Sequence, residues 1–277
     1  MDETLYSRVP DPEIALTPRG HEQAAAAGQA IRAMCEAAAD GAPFRVYCYY
    51  SPYLRTMQTA ADVLSAFGDD QVMGVREESQ LREQDFGNLQ DSSMVVRKAE
   101  RKQYSRFFYR FPDGESSADV YDRVTVFEDH LVRDMQAGRF GANDSVVIVT
   151  HGLTLRVFLM RWCHWTVVDS ERVGNPDNCT PLVLERRDAL CADEAARLRV
   201  TPGRQHTKAM YALSAESAAL VCSRDPALGR MLDPRADALG KLRASIEARV
   251  ARRETKAEAE QTSARMQGRR HDVTPLR

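Results

Sequence analysis

The sequence predicts an α/β domain: a mostly parallel sheet with helices on both faces. Short continuous apolar runs alternate with helical segments, the pattern of strands buried on both sides. Two helix starts carry a Ser/Thr cap followed at once by proline, Thr17-Pro18 and Ser51-Pro52. A chain of 277 residues, 43% of them hydrophobic, can also bury a sizeable core.

In order, Thr17 caps an Ala-rich helix to about Ala39, and Asp40-Gly41-Ala42-Pro43 breaks it before a strand from Phe44 to Tyr50. Ser51-Pro52 opens a second helix to about Phe67, and a brief strand covers Gln71 to Val75. Helices are expected over about 92–105 and 117–137. Ser145 to Val149 is the clearest buried strand, running through Thr150-His151-Gly152 into a helix from Leu153 to Trp162. A last strand spans Pro181 to Glu185.

Composition divides the chain. All 20 aromatic residues lie at or before Tyr211, and aromatics supply much of a core's packing. Residues 241–277 hold ten Lys/Arg against five Asp/Glu, leaving 28 against 35 in residues 1–240. The folded domain is therefore expected over 1–211, with an aromatic-free helical appendage and basic tail over 212–277. The overall charge of −2 gives no footprint for nucleic acid. Six scattered cysteines (35, 48, 163, 179, 191, 222) without a C-x-x-C motif fit reduced thiols in the cytoplasm, not a disulfide scaffold or zinc module. No apolar run approaches the ~20 residues that span a membrane, and the polar opening MDETLYSRVP does not read as a signal peptide. A soluble cytoplasmic protein is expected, with no membrane or nucleic-acid partner; a homo-oligomer is left open.

Ligands of parallel sheets bind where strand C-termini meet helix N-termini, because free backbone N–H groups there attract anions. Two junctions carry suitable side chains. Arg55 falls about one turn into the helix after the first strand, within reach of a phosphate for its guanidinium fork. His151 ends the clearest strand, with Gly152 allowing close backbone approach. In Leu81-Arg82-Glu83-Gln84-Asp85-Phe86-Gly87-Asn88, Glu83 could act as a general acid beside such a phosphate. Each also has a plain reading: an Arg on a solvated helix face, a His satisfied within the core, a Glu in a charged loop.

Five motifs then follow in a familiar order: Leu16-Thr17-x-x-Gly20-x-x-Gln23-Ala24, Ser51-Pro52-x-x-Arg55-x-x-Gln58-Thr59-Ala60, Leu81-Arg82-Glu83-x-x-Phe86-Gly87, Pro112-x-Gly114-Glu115-Ser116 and Val149-Thr150-His151-Gly152. Together they resemble the histidine phosphatase superfamily, in particular its phosphoglycerate mutase-like branch of plants and other eukaryotes, over about residues 4–187. The resemblance implies a three-layer α/β/α fold. It implies a phosphate pocket to which Arg55 and His151 contribute, Glu83 at the proton-donor position, and a small phosphorylated metabolite as substrate. It implies no metal and no cofactor. Phosphatase activity is favoured over true mutase (isomerase) activity, because the longer insertions of cofactor-dependent mutases are not recognisable.

The sequence departs from that family at one point. Its enzymes attack phosphorus with the histidine of an Arg-His-Gly motif ending the first strand, and that motif is not found here. Asp2 to Tyr6 resembles the segment just after it. His21, His130, His164, His206 and His271 do not follow a core strand, as a nucleophile for in-line attack would. The expectation is a truncated chain that starts one strand late and is inactive as given. The alternative is a non-catalytic phosphate-binding or interaction protein. The basic, aromatic-interleaved stretch from Arg97 to Arg110 could hold a multiply anionic substrate or form a solvated helix face. Cys163-His164 does not read as a metal site, since no partner ligands are spaced to help.

Overall fold

The structure, a computed structural model, describes residues 8–87, 93–186, 210–222, 240, 242–251 and 253–255. The chain forms two compact units, Met1–Gly229 and Arg230–Arg277.

In the first unit, helix α1 spans Pro18–Ala39. Thr17 caps it, its hydroxyl oxygen accepting from the Gly20 amide at 3.1 Å, and Asp40 ends it in the left-handed conformation, φ 47°. Strand β1 (Arg45–Tyr50) leads to α2 (Leu54–Leu64), then β2 (Val72–Glu77), α3 (Ser93–Tyr104) and α4 (Ser117–Gln136). Strand β3 (Asp144–Val149) runs into α5 (Gly152–Trp162) and the short α6 (Val167–Arg172). Strands β4 (Leu184–Arg186) and β5 (Tyr211–Leu213) and helix α7 (Ala215–Val221) complete it. The second helix starts two residues later than the Ser51-Pro52 signal implies, because the Ser51 hydroxyl bonds His151 at 2.7 Å instead of capping the helix.

The sheet has the order β2-β1-β3, and both pairings of β1 are parallel. Register pairs Tyr50 with Glu77 on one side and with Val149 on the other, so the three strands end together. β4 and β5 form a separate antiparallel pair. Alternation along β1 sorts its side chains by face. Val46 and Cys48 join Val147 and Val149 of β3 in a core cluster with Ala27 of α1 and Ala60 and Val63 of α2. On the opposite face the Tyr49 ring meets Phe127 of α4 edge-on at 5.4 Å, and Phe127 meets Phe158 of α5 at 6.3 Å. Helices therefore cover both faces, giving three layers.

The strand and helix that follow residue 210 belong to this first unit and span the edge expected at 211. The Ser214 amide donates to the Val183 carbonyl at 2.9 Å, the Val183 amide donates to the Ser217 hydroxyl at 2.8 Å, and Val221 is fully buried. Small apolar residues do this packing, so the loss of aromatics did not mark its end. In the second unit, residues 242–251 and 253–255 are helical, with Leu242, Ile246 and Val250 half exposed at helical spacing. The rest of the helix expected over 241–260, and the basic tail, lie outside the described residues. Among the described residues no helix is long and apolar enough to cross a membrane.

Two contacts fix the layers. A Cβ on Gly28 of α1 would lie 2.6 Å from the Val63 carbonyl oxygen of α2, so the two helices touch backbone to backbone there. The second contact is ionic. Arg123 of α4 donates through Nε and Nη2 to the two oxygens of Glu115, each at 3.0 Å, and through Nη1 and Nη2 to the carbonyls of Gln80 and Glu83 at 2.5 and 3.0 Å. Glu115 also accepts from Arg82 Nη2 at 2.5 Å and the Asp85 amide at 3.1 Å. This clamp sews the segment from Gln80 to Asp85 onto α4. Burial works to raise the Glu115 carboxyl, but Arg123, the Asp85 amide and Arg82 outweigh it and hold the group below the ordinary carboxylate range.

Two outcomes are expected in chemical denaturation. Gly28→Ala gains about 1 kcal/mol of helix propensity yet destabilises the protein overall by about 1–3 kcal/mol, because a backbone carbonyl cannot yield as a side chain would; a more stable variant would refute the helix contact. Glu115→Gln leaves Arg123 without its carboxylate and costs about 2–4 kcal/mol at pH 7. The Glu115 contribution is complete above its ordinary value of 4.5 and is lost as pH falls through its lowered native value. The variant's stability curve should therefore lose that acid limb.

Candidate functional site

The parallel register of β1 and β3 brings Tyr50 beside Val149, so the residues that follow each strand emerge side by side. The Ser51 amide donates to the Val149 carbonyl at 3.0 Å, and the fully buried Ser51 hydroxyl meets His151 Nε2 at 2.7 Å. His151 occupies the N-cap position of α5 without a capping hydrogen bond of its own. Its ring packs edge-on against Tyr53 with centroids 4.9 Å apart, and the Arg55 guanidinium lies 4.8 Å above that tyrosine ring. Arg55, Tyr53 and His151 thus form one stack at the sheet's C-terminal edge.

Arg55 is held from the other side by the segment before α1. Its Nη1 donates to the Asp11 carbonyl at 2.7 Å and to the Asp11 carboxylate at 2.8 Å. Nη2 reaches the second carboxylate oxygen at 3.4 Å. Both side chains of this pair are less than a fifth exposed. Asp11 fixes the orientation of the guanidinium while Nε and part of Nη2 remain for another oxygen.

Glu83 comes to the same place from the clamped segment. Its Oε1 accepts from the Gln84 amide at 3.0 Å, the Thr154 amide at 3.3 Å and the Thr154 hydroxyl at 3.2 Å. Oε2 has a single, longer contact, from the Leu153 amide at 3.4 Å. The carboxylate sits on the first turn of α5, where the helix dipole and free N–H groups favour negative charge, next to His151. Thr154 also ties the loop down, its hydroxyl donating to the Arg82 carbonyl at 2.7 Å.

The junction surrounds a neutral ring with paired charges, Arg55 with Asp11 and Arg123 with Glu115. Burial, then the charges of Arg55 and Arg123, push the His151 imidazole down to about 2. A further positive charge is strongly resisted there.

All three residues singled out in the sequence, Arg55, Glu83 and His151, meet at this junction. Tyr53, Asp11, Arg123 and Thr154 were not singled out; Ser51 was noted as a helix cap and motif residue, and Glu115 only as part of a motif. Thr154 lies three residues after His151 and could have been suspected from that; Asp11 and Arg123 carry no local signal.

Because His151 is neutral in the native state and ordinary (6.5) when unfolded, the unfolded state binds the extra proton between those values. Stability should fall as pH drops below about 6.5, by roughly 2 kcal/mol between pH 6.5 and 5. His151→Gln should remove that loss. An unchanged acid profile in this variant, measured by denaturant titration, would show that the imidazole is not buried neutral.

Comparisons with known proteins identify the family and the fold. The description "Histidine phosphatase superfamily (branch 1)" matches residues 3–192. The chain is 47% identical over 193 residues to the phosphoglycerate mutase-like protein AT74H of Arabidopsis thaliana, covering 67% of this chain and 69% of that one. It is 45% identical over 190 residues to the Arabidopsis protein AT74, covering 67% of this chain and 60% of that protein. The broad-range acid phosphatase DET1 of Saccharomyces cerevisiae is 46% identical over 120 residues, 42% of this chain and 35% of its own length. In fold, the chain is similar to a mycobacterial glucosyl-3-phosphoglycerate phosphatase, with a TM-score of 0.52 at 19% identity over 64% of this chain and 83% of that one. With a three-layer α/β fold and a match over most of its length, the chain belongs to the histidine phosphatase superfamily.

Proposed function

We propose that this chain holds the phosphoryl group of a small phosphorylated metabolite between Arg55 and His151, with Glu83 as the proton donor to the leaving oxygen. The observation that carries this reading is the convergence of the three residues on one strand–helix junction, with Ser51 Oγ and His151 Nε2 2.7 Å apart at its centre. Arg55 would neutralise two phosphoryl oxygens through its remaining donors, and His151 would meet a third. Glu83 would act through Oε2, its less engaged oxygen. The Arg123–Glu115 clamp would keep that carboxyl where, in the family's chemistry, it would protonate the leaving oxygen as an imidazole nitrogen forms the bond to phosphorus. Hydrolysis is favoured over isomerisation by the yeast relative named as an acid phosphatase.

In the family's chemistry the phosphoryl group passes to an imidazole nitrogen, and water then splits the P–N bond. His21 bonds Asp62 at 2.6 Å on α1, His130 lies on α4, and His164 follows α5. None of these is part of the stack, and His206 and His271 lie outside the described residues. This favours a second statement: the chain as given binds phosphate without turning over.

Calorimetry with inorganic phosphate, alongside an assay with an aryl phosphate, tests both statements. Phosphate binding should weaken at least tenfold in Arg55→Ala, and no aryl phosphate should be hydrolysed. Phosphate binding indifferent to Arg55 would remove the site. Hydrolysis by the chain as given, abolished by His151→Ala, would overturn the statement that turnover is absent.

A further inference from the structure

The register that ends β1 and β3 together seats Ser51 beside His151 and leaves the Ser51 hydroxyl little choice. The residue is fully buried, and its Oγ meets His151 Nε2 at 2.7 Å and the Tyr53 amide at 3.5 Å. An amide donates, so toward Tyr53 the hydroxyl oxygen accepts. Among the described residues the hydroxyl's single proton then has one acceptor, the lone pair of Nε2. The opposite arrangement, Nε2–H donating to Oγ, would strand that proton in a buried place. A donor left unpaired there costs the full desolvation of the group. Nε2 is therefore the unprotonated nitrogen.

A neutral imidazole carries one N–H, and here it must lie on Nδ1. Burial, with the charges of Arg55 and Arg123, keeps a second proton off the ring. Nδ1 has no hydrogen-bond partner among the described residues, yet it is not a fully buried atom. The Tyr53 ring packs edge-on against the imidazole with centroids 4.9 Å apart, which resists a flip that would exchange the two nitrogens. The ring thus keeps one N–H free for a ligand, beside the donors that Arg55 has left over from Asp11.

We infer that Ser51 is a positioning residue: its hydroxyl fixes His151 as the Nδ1–H tautomer, a hydrogen-bond donor to a phosphoryl oxygen. The ligand in this inference rests on the phosphate site proposed above; the tautomer does not. The chemistry of the ring is limited accordingly. Attack on phosphorus needs a free nitrogen lone pair in the ring plane, and the one such pair is taken by Ser51. Held in this way, His151 can bind a phosphoryl group but can neither become the phosphohistidine nor serve as general base.

Nuclear magnetic resonance on the full chain with ¹⁵N-labelled histidine tests this without relying on turnover. The chain has six histidines, and the signals of His151 are those lost in His151→Gln. Long-range couplings to the two carbon-bound ring protons tell Nε2 from Nδ1. Near neutral pH, Nε2 should give the unprotonated, pyridine-type signal and Nδ1 the protonated, pyrrole-type one. A pyrrole-type Nε2 in the unmodified chain overturns the inference, whether or not any variant folds. In Ser51→Ala the single tautomer should give way to a mixture or to the reversed form. Phosphate binding by that variant, measured by calorimetry, should weaken by about threefold to tenfold. A pure Nδ1–H form retained in Ser51→Ala would show that Ser51 does not set it. Inorganic phosphate should shift Nδ1 and its proton, and sulfate, which only accepts hydrogen bonds, should do the same. Binding of phosphate with Nδ1 unmoved overturns the donor role. An Nδ1–H form in a chain that binds neither ion removes the phosphate site and leaves the tautomer standing.

Discussion

The site depends on the parallel register between β1 and β3. Six consecutive pairs, from Arg45 with Asp144 to Tyr50 with Val149, fix where each strand ends relative to the other. Only in this register does Ser51 meet His151, and only then do the helices α2 and α5 start side by side. A slip of one residue would turn each inward side chain outward, burying Tyr47 and Tyr49 against the small residues of α1 and α2. The two faces thus enforce the register: small apolar residues on one side, aromatic rings on the other.

Around that junction, charge is arranged at two depths. Nearest the strands, a neutral imidazole lies beside Arg55, whose direction is set by Asp11 and by the Tyr53 ring. Behind them, Arg123 and Glu115 neutralise each other and hold the Glu83 backbone in place. Their electrostatic effects differ accordingly. Arg123 is paired and serves the loop's geometry, yet its charge still helps keep His151 unprotonated. Arg55 remains able to bind a further oxygen. In acid the histidine's loss of stability begins near pH 6.5 and continues toward its native value, so below 4.5 it overlaps the loss from Glu115.

Membership in the histidine phosphatase superfamily does not by itself supply a substrate. The chain spans 69% and 60% of its two Arabidopsis relatives, and its similarity to solved structures lies in the fold alone. The chemistry specific to this chain lies in its side chains at the β1–β3 junction, Arg55, His151 and Glu83 among them.

Much of this was legible in the sequence, and the limit has a physical origin. Continuous apolar runs identified β1 and β3, and the Thr17-Pro18 cap located the start of α1, because strand burial and helix capping are decided by neighbouring residues. Arg55, Glu83 and His151 stood out because each flanks such an element. The role of Ser51 was misjudged: locally it is a good helix cap, but a partner 100 residues away took its hydroxyl. Arg123 gave no signal because the carbonyl of Glu83 lies 40 residues from it. β5 and α7 were missed because their strand is three residues long and their packing uses small side chains. Sequence by itself determined which segments become strands and helices and which side chains stand at their ends. The tertiary structure decided which of those side chains meet, because a hydrogen bond or ion pair across the fold is set by register and packing that no local pattern encodes.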